Sequence, residues 1–175
     1  LCGYNFGDLF LTAMSDVMGD FDKAVKESSK VLAVRGHVVP STLSKVSLIA
    51  RHEDGTETVG KADILSSSSP IKEVYIRPQL ANATDEATAA IKRADAVILG
   101  PGSFYTSLLP GLLVEKIKEA VAGSRADKIY VLNLISNPGQ TDNYKASDHV
   151  RIINQYLGGK FINYCIVNKQ ELPKE

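Results

Sequence analysis

The chain has no excess of charge of either sign: 20 lysines and arginines stand against 20 aspartates and glutamates. That balance gives no electrostatic case for binding nucleic acid or an anionic membrane surface. Long apolar runs are missing as well, since no stretch of about 18 apolar residues exists to span a bilayer. Residues 1–11 lack the basic segment followed by an apolar core that marks a secretory signal. Cysteine is scarce. Cys2 and Cys165 lie far apart, and Cys165, inside "FINYCIVNK", reads as a small buried hydrophobe of a reducing compartment. The cytoplasm is the expected location. Internal repeats are absent, and the run of serines at 66–69 is too short to link two domains.

What remains is the composition of an ordinary globular protein, 44% hydrophobic and 23% charged. A chain of 175 residues has the length of one domain and should bury about 70% of its unfolded surface. Residues 8–18 place Leu9, Ala13 and Val17 on one helix face ending at Gly19. Asp20 then caps a second helix, with Phe21, Ala24, Val25, Ser28 and Leu32 inward. A β-rich insert follows at about 36–78, where "KVSLIARHEDGTETVGKADI" alternates around Asp54-Gly55 as a hairpin and "IKEVYIRP" is a further strand. His37 and His52 are expected to face solvent. Helix and strand then alternate: Thr84 caps "DEATAAIKRA", "DAVILG" is a strand, "LLVEKIKEAVAGS" a helix and "KIYVLNLI" a strand. Ser147 caps a helix ending at Gly158, and "FINYCIVN" is the last strand. The pattern predicts one α/β domain over 1–175: a mostly parallel, Rossmann-like sheet covered by helices on both faces, with a β-hairpin insertion.

Ligands of open parallel sheets bind beyond the carboxyl ends of the strands. The loop "GPGSFYTS" leaves such an end. Gly100 and Gly102 let backbone approach closely and permit positive φ. Ser103, Tyr105, Thr106 and Ser107 add hydroxyls beside a helix start, where exposed amides favour phosphate. No lysine or arginine falls between Pro101 and Val114, so an anion here would be held by neutral donors. The stretch lacks the third glycine of a dinucleotide fingerprint, the Gly-Lys-Ser/Thr of a P-loop and the second glycine of a nucleophile elbow. The plainer alternative is a tight turn whose hydroxyls cap the next helix.

"NPGQTDNYKASDH" is longer than most strand-helix connections, and long loops at strand ends often carry sites. Its Asn137, Thr141, Asp142 and Asn143 are also ordinary turn formers. Asp142, Asp148 and His149 could in principle gather a divalent metal, with Asp142 as the weak candidate ligand. Asp148 and His149 are adjacent in a helix and diverge, which favours a local hydrogen bond for His149.

Several segments together resemble the YvcK/CofD-like family. "GPGSFYTSLLPGLLV" is similar to its Gly-Pro-Gly-Ser-Leu-Tyr-Thr-Ser signature, "NLISNPGQTDNYKASDHV" to its Asn-Leu-x-x-x-Pro-Gly-Glu-Thr segment, and "GYNFGDLFLTAMSDVMGDFDKAV" to its Gly-His-x-x-Gly-Asn-Leu stretch. Tyr4 and Asp8 stand where the family has His and Asn. The glycine turn follows the YvcK branch, whose members are described as gluconeogenesis factors that bind UDP-sugars and support cell shape. The resemblance implies a UDP-sugar or NAD-like nucleotide diphosphate as the small-molecule partner, cradled by Gly100, Pro101, Gly102, Ser103, Tyr105, Thr106 and Ser107 and lined by Asn5, Asn133, Thr141 and Asp142. It also implies a homodimer, and an upstream Gly-Gly-Thr-Gly half and a C-terminal tail outside this sequence. The other branch, 2-phospho-L-lactate transferases, implies the alternative: transfer of a phospho-lactyl group to an acceptor alcohol, with a divalent metal on carboxylates such as Asp142.

Overall fold

The computed structural model describes residues 6–170. Two short sheets share the chain. An antiparallel sheet, ordered β2-β1-β3, comprises β1 (Ser47–His52), β2 (Glu57–Val59) and β3 (Ile71–Arg77). A parallel sheet, ordered β4-β5-β6, comprises β4 (Ala96–Leu99), β5 (Asp127–Val131) and β6 (Tyr164–Ile166). The architecture is α/β, as the alternation of apolar strands and helices requires.

The chain opens with a helical hairpin, α1 (Phe6–Met18) and α2 (Phe21–Val31). Gly19, at φ +66°, turns the corner, and Asp20 caps α2 by accepting from the Lys23 amide at 2.8 Å. Ala24, Val25 and Ser28 are buried as the spacing predicts, whereas Phe21 and Leu32 are exposed. The Leu9–Ala13–Val17 face is not an inner one. No residue of α1 is buried and Val17 is 77% exposed, because α1 packs chiefly on α2.

The Asp54-Gly55 hairpin forms with Ile49 opposite Val59, and β3 joins the other side of β1. A helix absent from the sequence reading, α3 (Lys61–Ser66), follows β2 and buries only Ile64. His52 is 1% exposed rather than solvent-facing. Strand parity puts it on the side of buried Ala50, where Nδ1 meets the Ser69 carbonyl at 2.9 Å and Nε2 meets Thr58 Oγ1 at 2.8 Å. His37 is exposed as expected.

Thr84 caps α4 (Asp85–Arg93) through the Ala87 amide. Three helical pieces follow β4, a π turn (Phe104–Leu108), α5 (Leu109–Leu112) and α6 (Glu115–Gly123); the helix expected over 112–124 forms as α6, and the two pieces before it were not expected. The last helix, α7 (Ala146–Leu157), is capped two residues before the predicted Ser147. Its cap is Lys145, whose amide donates to Asp148 Oδ2 at 3.0 Å. Gly158, at φ +84°, ends it as predicted.

One hydrophobic cluster draws on both sheets. Ala50, Ile71, Val74 and Ile76 of the antiparallel sheet meet Phe104, Leu109 and Leu112 behind the glycine turn and Ile153 and Leu157 of α7. The Tyr156 hydroxyl straddles the join, accepting from the Val74 amide at 2.7 Å and donating to the Val74 carbonyl at 3.1 Å. The side-chain pattern of the parallel sheet departs from the expectation of two covered faces. Val97, Leu99, Lys128 and Tyr130 are buried or half-buried on one side, while Ile98, Tyr164 and Ile166 on the other are 64%, 58% and 55% exposed.

Candidate functional site

β4 delivers the chain into Gly100-Pro101-Gly102-Ser103, and the π turn begins at the next residue. Its geometry follows from the Ser103 carbonyl, which accepts from both Ser107 N (2.8 Å) and Leu108 N (3.1 Å), the second bond spanning five residues. Such π segments are uncommon and concentrate at functional sites. The turn is held by what it buries: Phe104, Tyr105 and Thr106 are 1%, 2% and 5% exposed. Phe104 stands edge-on to His149, ring centres 4.7 Å apart, and Tyr105 shares a 2.9 Å hydroxyl contact with Tyr144. Burial first, and then the Tyr144 hydrogen bond, push the Tyr105 phenol far above its ordinary range. Tyr105 is therefore a neutral anchor facing α7.

Asn133, two residues beyond β5, braces the turn from the neighbouring strand end. Its Oδ1 accepts from Gly102 N at 2.9 Å, and its Nδ2 donates to Gly102 O at 2.7 Å and to Asn137 Oδ1 at 3.3 Å. The side-chain amide thereby imitates a backbone pairing and holds the two strand-end loops together. One amide expected to face a ligand, that of Gly102, is consumed by this clamp. Neither Gly100 nor Gly102 has positive φ, so the conformational freedom that glycine permits there is not used. A side chain added at Gly100 would meet nothing within 4 Å, so glycine there leaves open space beside the backbone.

The other predicted donors divide by position. Gly100, Pro101 and Ser107 are exposed, and Gly102 and Ser103 are half-buried. Among the described residues no acceptor takes the amides of Ser103, Phe104, Tyr105 or Thr106, the orphan donors of a helix start. Thr106 Oγ1 is buried without a partner, as is Gln140 Oε1. Buried polar atoms are normally satisfied, so these two stand out.

The loop from Asn137 to Tyr144 is built on itself. Asn137 N donates to Thr141 Oγ1 at 2.9 Å, and the Gln140 and Thr141 amides donate back to Asn137 O. Gly139 sits at φ +75° with its missing Cβ aimed 2.9 Å from Ser67 O, so glycine is required where this loop presses on the insert. Thr141 is 2% exposed. Asp142 is exposed and accepts from Gly139 N at 2.6 Å. The structure thus gathers Gly100–Ser107, Asn133 and Thr141 at the ends of β4 and β5, with Asp142 on the outer rim. Asn5 lies outside the described residues. Among those residues no group of three or more His, Cys, Asp or Glu side chains could hold a metal ion. Asp148 is engaged with the Lys145 amide, which lowers its pKa, and with Arg151. His149 is buried with Nδ1 against Lys145 O at 3.1 Å. Asn137, read only as a turn former, and Gln140, not singled out at all, also build the site; the length of their loop was the signal for Gln140.

A parallel α/β sheet with a hydroxyl-rich π turn at the end of one strand defines the class. A family model described as 2-phospho-L-lactate transferase CofD matches residues 1–175. The chain belongs to that family, on its YvcK-type side. It is 43% identical over 175 residues to the gluconeogenesis factor of Bacillus subtilis (strain 168), covering 100% of this chain and 55% of that protein. The Listeria innocua gluconeogenesis factor is 36% identical over 175 residues, covering 100% of this chain and 54% of its own length. The crystal structure of a UPF0052 family member from Bacillus halodurans superposes with a TM-score of 0.89 at 38% identity, over 98% of this chain and 56% of that one. The chain spans about half the length of these relatives. No described helix is long and apolar enough to cross a membrane.

Proposed function

We propose that the chain forms the diphosphate-holding part of a gluconeogenesis-factor-type regulator that binds a UDP-sugar or related nucleotide diphosphate in the cytoplasm. Carbon metabolism and cell shape are the processes it would tune, and a homodimer is part of this reading. The observation that carries it is the set of four unaccepted amides from Ser103 to Thr106, in one turn with the unpartnered Thr106 hydroxyl. Amides at a helix start attract phosphate oxygens without any side-chain charge. The open space at Gly100 gives the ligand close approach, and Ser103 and Ser107 stand at the mouth of the turn. Asn133 holds the turn in place rather than offering a free donor. The names of the relatives and the free thiol of Cys165, which burial pushes up, accord with this reading.

The test is calorimetric titration with UDP-N-acetylglucosamine of a chimera in which this chain replaces the matched segment of the Bacillus subtilis relative. Saturable heat that is lost on Ser103→Asp is expected, because a carboxylate there repels the diphosphate. No heat at millimolar ligand, or undiminished binding by the variant, overturns the reading. The description of the matching family favours a second reading, phospho-lactyl transfer to an acceptor alcohol. A product of the donor's mass increment, formed from a lactyl-diphospho-guanosine donor and a deazaflavin alcohol, would establish that reading instead.

A further inference from the structure

A cavity of about 490 Å³ opens at the join of the two sheets, and none of Gly100 to Ser103 lines it. Its walls are Glu53 at the hairpin turn, the start of β3, the 151–156 face of α7 and the Tyr105–Tyr144 hydroxyl pair. Metabolite sites are clefts of this order, with a few placed polar groups among apolar ones. The register of β3 shapes one wall. Arg51 lies opposite Glu73 and His52 opposite Ile71, so Lys72 bulges out with no residue facing it on β1. Bulges re-aim side chains and recur beside active sites. No ion pair or hydrogen bond among the described residues engages the Lys72 ammonium, and Arg151 holds only a 3.4 Å contact to Asp148. Glu73 is neutralised by Arg51 at 2.6 Å, which leaves Glu53 as the one uncommitted carboxylate of the lining. Two available cations against one carboxylate favour an anion.

We infer that this cavity is a second ligand site, one that takes a small metabolite bearing a phosphate or carboxylate group and that controls the π turn. Lys72 and Arg151 hold the oxyanion, as charge-assisted donors do. Gln155 and the Tyr144 hydroxyl supply neutral hydrogen bonds, and Glu53 accepts from a hydroxyl or amino group of the same molecule. The link to the turn is short. Tyr144 meets the Tyr105 hydroxyl at 2.9 Å, and the Tyr105 amide is one of the four left unaccepted at the start of the π turn. An occupant that draws on Tyr144 therefore shifts the residue that positions those amides, which couples the two sites. The cavity as a ligand site does not rest on the diphosphate reading; its effect on nucleotide binding does.

The test is an amide chemical-shift titration of the isotope-labelled chimera carrying Ser103→Asp, in which the turn itself repels anions. Inorganic phosphate and malonate are added in separate series, without nucleotide. Saturable shifts at Lys72, Tyr144 and Arg151 are expected with at least one of them; phosphate alone assigns a phosphate ester and malonate alone a carboxylic acid. Lys72→Gln and Arg151→Gln should each weaken binding about tenfold, the loss of one charged hydrogen bond. Both side chains are exposed, so neither change should move the melting temperature. The amides of Ser103 to Thr106 should move in step with Lys72, and much less in Tyr144→Phe. Shifts that fail to saturate with either anion, or saturable shifts that both glutamine variants leave intact, overturn the site. Turn amides unmoved at saturation overturn its control of the turn. Because the diphosphate position is blocked throughout, failure here leaves the nucleotide reading standing, and the reverse.

Discussion

The outer faces of the two sheets were finished in different ways. On the antiparallel sheet Arg51 reaches Glu73 at 2.6 Å and Glu57 at 3.2 Å, the Tyr75 hydroxyl donates to Glu57 at 2.6 Å, and Arg51 and Arg77 flank the Tyr75 ring. That surface is suited to water. The outer face of the parallel sheet presents Ile98, Tyr164 and Ile166 instead. Strands of similar length thus show opposite chemistry outward, charged and hydrogen-bonded on one sheet and apolar on the other.

One substitution made in both sheets gives the largest contrast. Ile76→Glu places an unpaired carboxylate at a position 5% exposed and should cost about 3–5 kcal/mol in urea unfolding. Ile98→Glu, at a position 64% exposed, should stay within about 0.5 kcal/mol in the chain alone. Equal costs would break the comparison. Asn133→Ala is intermediate. It strips the partners from Gly102 N and O and should cost about 1–3 kcal/mol, with a parallel loss of nucleotide affinity because the turn loses its brace. An affinity loss with no stability change would make Asn133 a ligand contact instead.

The smallest effect lies on the charged face. The hydrogen bond from Tyr75, then those from Arg51, hold the Glu57 carboxyl below its ordinary range. A carboxylate whose folded-state pKa is depressed contributes stability above its unfolded value and loses it as pH falls through the folded one. Acid titration of stability should therefore flatten slightly on the acid side of the ordinary glutamate range in Glu57→Gln, and added salt should mimic the change.

The fold was legible wherever a residue acts through local backbone. Thr84 and Gly158 bound their helices, and Asp54-Gly55 made its hairpin, because caps and turns need only nearby atoms. The three parallel strands could be read as short apolar runs. What could not be read depends on distant contacts. α3 has a single buried residue, Ile64, too little to make a period. The Leu9, Ala13 and Val17 face of α1 was read by spacing alone, and no residue of that helix is buried. The site divides in the same way. The glycine turn, Asn133 and Thr141 were indicated by their place at strand ends and by resemblance. Pattern gave no sign that Asn133 would consume the Gly102 amide, or that Tyr105 would turn inward to Tyr144. Side-chain direction within a π turn follows from the core it meets.

The central claim, that the start of the π turn holds a diphosphate, is tested most directly by amide chemical shifts in the isotope-labelled chimera as UDP-N-acetylglucosamine is added. The account predicts that the amides of Ser103 to Thr106 move together and saturate, while Gly102, tied to Asn133, moves far less. Shifts confined to the pocket between α7 and β6, lined by Val150, Asn154 and Cys165, or an unmoved turn at saturating ligand, would contradict it.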